Sequence, residues 1–180
     1  SRGTRRPRGA SRELPKPPLP DEPVVDLLDL TRIESGEKKR ELSPVRIDSV
    51  INESLANFSE DILKRNISVE KNIAEVEIQA DKTEIEIIVN NFISNAIKYT
   101  HRGSVAVRVK CERIDSGTDR LILTVTDTGI GISEENSRII FNEFTRVSDN
   151  YDGAGLGLSI AQRIVTLLKG EITLHSKPGE

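Results

Sequence analysis

Asn91 and Asn95 stand four residues apart, with Lys98 three further on, in the run Asn91-Phe92-Ile93-Ser94-Asn95-Ala96-Ile97-Lys98-Tyr99. At 3.6 residues per turn that spacing places all three on nearly one helical face. Asparagine is a poor residue inside a helix, because its carboxamide competes for backbone hydrogen bonds. Two on one face suggest a use beyond folding. A carboxamide oxygen is a hard, neutral ligand suited to Mg²⁺, which takes a few oxygen ligands together with water and phosphate. Lys98 would add positive charge near such phosphates. A solvated polar face ending in a surface lysine accounts for the same residues equally well.

A second segment, Thr126-Asp127-Thr128-Gly129-Ile130-Gly131-Ile132, follows a strand-like run. Asp127 falls where an extended chain turns sharply, and the glycines let backbone approach a flat ligand. A buried carboxylate there could accept a hydrogen bond from an exocyclic amine and so select adenine over guanine. A turn aspartate followed by flexible glycines is the plainer reading. A Rossmann turn is excluded, since Gly129-Ile130-Gly131 lacks the third glycine and no βαβ unit surrounds it.

Two further segments complete the set. In Ile140-Phe141-Asn142-Glu143-Phe144-Thr145-Arg146, Phe141 and Phe144 could anchor one end of a lid, with Arg146 reaching phosphate; they could equally close the core at a helix end. Gly153-Ala154-Gly155-Leu156-Gly157-Leu158-Ser159 runs straight into a helix, whose free N–H groups and dipole make an anion site. Its glycines remove side chains that would block a triphosphate. No Gly-Lys-Ser/Thr follows, so it is not a Walker loop. A hinge is the competing account.

The elements that position these segments are legible as patterns. Val24 to Ile33 carries apolar positions three and four apart and stops at Ser35-Gly36. Val45–Ile47 reads as a brief strand, and Asp48 as the cap of a helix through Ile51, Leu55, Phe58 and Ile62. Strands are expected at Ile67–Ile73 and Val76–Ala80. Asp81 should cap a long helix bearing Ile85, Ile88, Val89, Phe92, Ile93, Ala96 and Ile97. Past the His101-Arg102-Gly103 turn, Val105–Ile114 and Leu121–Thr126 form a hairpin about Asp115-Ser116-Gly117. A short helix (Glu134–Phe141), a helix (Leu158–Leu168) and a strand (Glu171–His175) follow. With no parallel βαβ alternation, the expected class is α+β: a two-layer α/β sandwich whose mixed, mostly antiparallel sheet is covered on one face by helices.

Bulk properties narrow the function. The chain has 180 residues, 36% hydrophobic and 31% charged, with aromatics at 3% and no Trp or Met, so Ile, Leu and Val must fill the core. A net charge of −3 gives no general attraction to nucleic acid or anionic membrane. The single cysteine, Cys111, excludes an internal disulfide and alternates with Val105, Val107 and Val109 as a core strand residue would. No apolar run reaches the length of a membrane span, and the start is no signal peptide. Residues 1–23, rich in Arg, Pro and Gly, cannot bury enough surface to order themselves and read as a disordered or non-native tail.

In this order the four segments resemble the N, G1, F and G2 boxes of sensor histidine kinases, whose ATP-binding (Bergerat) fold is shared with type II topoisomerases and mismatch-repair ATPases. The resemblance runs from about Leu42 to Gly179 and makes residues 37–180 an ATP-binding catalytic domain. Val24–Gly36 looks like the end of the second helix of the family's dimerization hairpin, so 24–36 would be its remnant. It implies ATP and Mg²⁺ as cofactors, with Asn95 coordinating the metal and Asn91 and Lys98 near the phosphates as the catalytic pair. Tyr99 would line the pocket, Asp127 would bind the adenine amine, and Gly129, Gly131 and Ile132 would shape the adenine site. Phe144 and Arg146 belong to a lid over about 142–154. Gly155, Leu156, Gly157 and Leu158 would cradle the phosphates.

Hydrolytic relatives carry a glutamate four residues before the Mg²⁺-binding asparagine; here that position is Asn91, which cannot act as a general base. The resemblance therefore implies a protein-histidine kinase. The family's acceptor histidine precedes an acidic residue, whereas His101 precedes Arg102 and His175 precedes Ser176. The acceptor is expected outside this chain, as is the family's last strand, which would follow Ser176-Lys177-Pro178-Gly179. Expected partners are the chain's own dimerization and phosphoacceptor domain in a homodimer, and a response regulator. Nucleic acid is not expected, the membrane only through other parts of the parent protein, and the location is cytoplasmic. The alternatives are an ATP hydrolase of the same fold and a nucleotide-binding module without turnover.

Overall fold

A computed structural model describes Ser35, residues 39–143, Thr145 and residues 156–179. The tail at 1–23 and the helix expected from Val24 to Ile33 lie outside the described residues. The elements run β1 (Leu42–Arg46), α1 (Ile47–Asn57), α2 (Ser59–Lys64), β2 (Ile67–Ile73), β3 (Glu77–Asp81), α3 (Lys82–Tyr99), β4 (Gly103–Arg113), β5 (Asp119–Asp127), α4 (Glu134–Ser137) and α5 (Gly157–Leu167).

β1 pairs antiparallel with β3, and β4 stands between β2 and β5. β4 and β5 are the expected antiparallel hairpin, closed by Asp115 Oδ1 accepting from the Gly117 amide at 2.9 Å. That amide holds the Asp115 carboxyl below its ordinary range. The β2–β4 ladder is parallel, Ile67 facing Gly103 and Ile73 facing Val109. The sequence pattern concealed this pair, because the crossover from β2 to β4 passes through β3 as well as α3. The class is α+β, as expected.

Ile51, Ile93, Val105 and Val107 are fully enclosed at the centre of the core, where α1 and α3 lie against the strands. A smaller cluster of Ile87, Ile88 and Ile164, flanked by Phe92, Ile160 and Val165, seats α5 on α3. Burying each such Ile contributes about 1.5–3 kcal/mol relative to leaving it exposed.

Several expectations need correction. Asp48 does not cap α1. The N-cap is Arg46, and Asp48 sits in the first turn, accepting from Arg46 Nη2 at 2.8 Å, which lowers its carboxyl pKa. The helix through Phe58 and Ile62 is two helices, since Phe58 breaks it (φ −100°, ψ 12°) while packing half-buried against the core. α4 ends at Ser137 rather than Phe141. Cys111 is exposed, not core: it shares a face with Val105, Val107 and Val109, but β4 outruns its helical cover, and residues 111–120 are all exposed. Residues 171–175 form no strand. Ile172 and Leu174 supply the alternation, yet a strand exists only as a ladder. Its continuation instead docks end-on, the Ile132 amide donating to Ser176 Oγ at 2.8 Å and the Gly179 amide to the Ile130 carbonyl at 3.2 Å.

α3 begins at a tie the sequence does not announce. Asp81 caps it as expected, Oδ1 accepting from the Thr83 amide at 3.1 Å, while Oδ2 accepts from the Glu41 amide at 3.1 Å. One turn on, Glu84 is 3% exposed and takes Arg40 Nε at 2.7 Å and Nη2 at 2.5 Å. Removing one partner of a buried pair strands the other's charge. Arg40→Met is therefore expected to destabilise the chain by about 3 kcal/mol, the low end for such pairs because the guanidinium retains some solvent. Equilibrium denaturation checks this, with Arg40→Met/Glu84→Met recovering most of the loss.

Candidate functional site

α3 presents Asn91, Asn95 and Lys98 at successive turns, all half-buried. The Asn91 Nδ2 donates back to the Ile87 carbonyl at 2.9 Å, which fixes the carboxamide and directs its oxygen away from the helix. That oxygen lies against Gly157, in the space a Cβ would take. Two residues 66 positions apart in the sequence thus meet. The cause is the Ile87–Ile88–Ile164 contact, which brings the start of α5 beside Asn91.

α5 has no side-chain cap: its N-cap residue is Leu156, which has no polar group to offer the first-turn amides. Ser159, buried, turns its hydroxyl inward to the Leu156 carbonyl at 2.7 Å. A first turn uncapped by side chains offers amide donors suited to an anion, beside a fixed carboxamide oxygen of the kind a hard cation takes. Lys98 Nζ stands 5.4 Å from the centre of the Tyr99 ring, a cation–π arrangement that holds an ammonium at the C-terminal end of α3.

The glycine loop closes on that end. Asp127 ends β5 opposite Val105. It is exposed rather than buried, at the end of the outer strand of its sheet, and its Oδ1 accepts from the Gly129 amide at 2.9 Å. The second carboxylate oxygen remains for a ligand's donor. Gly129 passes so close to α3 that a Cβ would sit 2.5 Å from the Tyr99 carbonyl oxygen, and the Ile130 amide donates to that oxygen at 3.2 Å. Gly131 has φ +69°, and its missing Cβ leaves space occupied by the Lys177 carbonyl. Half-buried Ile132 is held there by Ser176.

The structure therefore brings Asn91, Gly157, Leu156 and Leu158 together at one end of the α3–α5 contact, and Tyr99, Asp127, Gly129, Gly131 and Ile132 at the other end of the exposed face. Asn95 and Lys98 lie between them on α3. Phe144, Arg146 and Gly155 fall outside the described residues. Among the described residues, no group of three His, Cys, Asp or Glu could hold a metal ion, and no helix is long and apolar enough to cross a membrane. His101 is exposed. Sequence reasoning missed Arg65, whose guanidinium grips the end of α3, and Thr128, whose Oγ1 accepts from the Ser104 amide at 2.9 Å. Nothing local to either residue announces a partner so distant in the chain.

A family model described as "Histidine kinase-, DNA gyrase B-, and HSP90-like ATPase" matches residues 80–180. The sensor histidine kinase RcsC of Salmonella typhimurium is 31% identical over 167 residues, covering 87% of this chain and 17% of RcsC. Histidine kinase 5 of Arabidopsis thaliana is 31% identical over 185 residues, covering 87% of this chain and 20% of its own. The chain thus spans a fifth or less of these relatives. Among solved structures, full-length ShkA in complex with AMPPNP superposes with a TM-score of 0.70 at 28% identity, over 86% of this chain and 32% of ShkA. The catalytic domain of the histidine kinase ThkA gives 0.57 at 26% identity, over 69% of this chain and 80% of that one.

Proposed function

Because the chain belongs to the histidine kinase-, DNA gyrase B- and HSP90-like ATPase family, we propose that residues 37–180 are a catalytic domain that binds ATP with Mg²⁺ and presents the γ-phosphate to a protein histidine. The observation that carries the reading is the seating of the Asn91 carboxamide against Gly157 at an uncapped helix start. The residues fit the ligand: a helix start with no side-chain cap, carboxamide oxygens suited to a hard cation, and a carboxylate oxygen left to accept from an amine. Asn95 would hold the metal, Asn91 and Lys98 the phosphates, and Leu156, Gly157 and Leu158 the anionic end, with Gly155 and Arg146 beside them. Tyr99, Asp127, Gly129, Gly131 and Ile132 would form the adenine site, with Phe144 at the lid. Bound Mg²⁺–ATP would supply the transferable phosphoryl group and much of its charge neutralisation.

The chain's own contribution is positioning and electrostatics. Asn91 is tied to the Ile87 carbonyl and is an amide, so it cannot take a proton from water. That favours transfer over hydrolysis. The acceptor would be neither His101 nor His175, since neither precedes an acidic residue. It would belong to a dimerization hairpin, of which residues 24–36 would be the end, in a homodimer on the cytoplasmic side that would relay the phosphoryl group to a response-regulator aspartate. Incubated with γ-labelled ATP and Mg²⁺, the chain is expected to stay unlabelled and to release phosphate at no steady rate. Label should appear on the histidine-bearing hairpin of the parent protein when that is supplied. Steady Mg²⁺-dependent release would make the chain a hydrolase, and AMPPNP binding without transfer to the hairpin a module without turnover.

A further inference from the structure

The last carbonyls of any α-helix have no partner within it. At the end of α3 three in succession are taken by groups from outside. Arg65 Nη1 donates to the Ile97 carbonyl at 3.1 Å and to the Lys98 carbonyl at 2.6 Å, and the Ile130 amide donates to the Tyr99 carbonyl at 3.2 Å. The helix exits at Thr100 in an extended conformation (φ −97°, ψ 108°), with no glycine to fold the chain back onto those carbonyls. The guanidinium also sets positive charge at the negative end of the helix dipole.

Arg65 is itself well placed to hold still. It closes α2, and Asn66 (φ 52°) then turns the chain into β2, whose buried first residue, Ile67, pairs with Gly103 at the start of β4. The same end of β4 is bound to the glycine loop, the Thr128 amide donating to the Ser104 carbonyl at 3.1 Å. Arg65 and the loop thus hang from one corner of the sheet and grip adjacent carbonyls of one helical turn.

We infer that Arg65 is a positioning residue for the nucleotide pocket, fixing the last turn of α3 so that Tyr99 holds the loop bearing Asp127 and Gly129. The inference rests on the pocket reading above. Without the guanidinium, two partly buried carbonyls lose their partner, the turn frays, and the acceptor for the Ile130 amide moves. The core around Ile93 is untouched.

The test is calorimetric titration of AMPPNP with Mg²⁺ into the full chain and into Arg65→Met, Arg65→Lys and the neighbouring Lys64→Met. Amide exchange at Ile130 and Ile93 is followed without nucleotide. Arg65→Met is expected to raise Kd about tenfold, the scale of a lost charge-assisted hydrogen bond. Arg65→Lys should recover part of that loss, and Lys64→Met should bind like the parent. The Ile130 amide should exchange faster in Arg65→Met while Ile93 does not. Unchanged Kd and unchanged Ile130 exchange overturn the inference. So does equal acceleration at Ile93, which reduces Arg65 to a fold-stabilising residue. Should Arg65→Met not fold, Arg65→Lys is judged by the same comparison. If the parent itself fails to bind AMPPNP, the pocket reading falls, and exchange at Ile130 alone decides whether Arg65 holds the loop.

Discussion

Asp127→Asn is expected to weaken binding of AMPPNP with Mg²⁺ by about 10- to 100-fold, corresponding to the 1.5–3 kcal/mol of a hydrogen bond to a charged group. The substitution is selective because of what Asp127 already does. One carboxylate oxygen holds the Gly129 amide at 2.9 Å, and an asparagine can keep that bond with its carboxamide oxygen. What it replaces is the other oxygen, turning an acceptor into a donor that opposes the adenine amine. Calorimetry on the two chains reads the difference directly, and a thermal melt should show them nearly equal in stability. An Asp127→Asn chain that binds as tightly as the parent would remove adenine from this position.

Gly129→Ala should be more damaging. Its Cβ would stand 2.5 Å from the Tyr99 carbonyl oxygen, 2.9 Å from its carbon and 2.7 Å from Asp127 Oδ1. Two of those atoms are backbone of the helix that carries Asn91, Asn95 and Lys98, so neither can step aside. The loop must lift, breaking the Ile130–Tyr99 bond and moving Asp127. The expected outcome is loss of detectable AMPPNP binding with a stability cost of about 1–3 kcal/mol, the usual scale for forcing atoms into filled space. Gly117 is the control, because a Cβ there meets nothing nearer than 3.9 Å. Gly117→Ala should leave affinity and melting temperature close to the parent's. Equal behaviour of the two alanines would show that close packing of the loop on α3 is not needed.

The parts of the fold that were legible in the sequence are those governed by local chemistry. Ile67–Ile73 reads as a strand from its alternation, Asp81 as a cap from its position before an apolar stripe, and Asp115-Ser116-Gly117 as a hairpin turn. What was not legible depends on neighbours. Cys111 has the phase of a core residue and lacks the cover; Ile172 and Leu174 have the alternation of a strand and no ladder. Asp48 has the chemistry of a cap, but the helix starts one residue before it. The site divides the same way. Asn91, Asp127 and Gly157 were singled out by residue type and spacing, and the structure seats Asn91 on Gly157. Arg65 and the Arg40–Glu84 pair were missed because a surface-type residue gives no local sign of a partner more than thirty residues away.

The parallel β2–β4 ladder has a consequence in time. The β4–β5 hairpin is closed by a short turn and can form within microseconds of collapse. β2 cannot join it until β3 and all of α3 have been laid down between them, so its loop-closure entropy is lost before any ladder bond compensates. The corner where Ile67 meets Gly103, and where Arg65 reaches the end of α3, should therefore be among the last to consolidate. Refolding followed by pulsed amide exchange would register protection at Val125 well before Val69. A chain stalled at that stage would possess a folded hairpin and a helix, and no competent pocket.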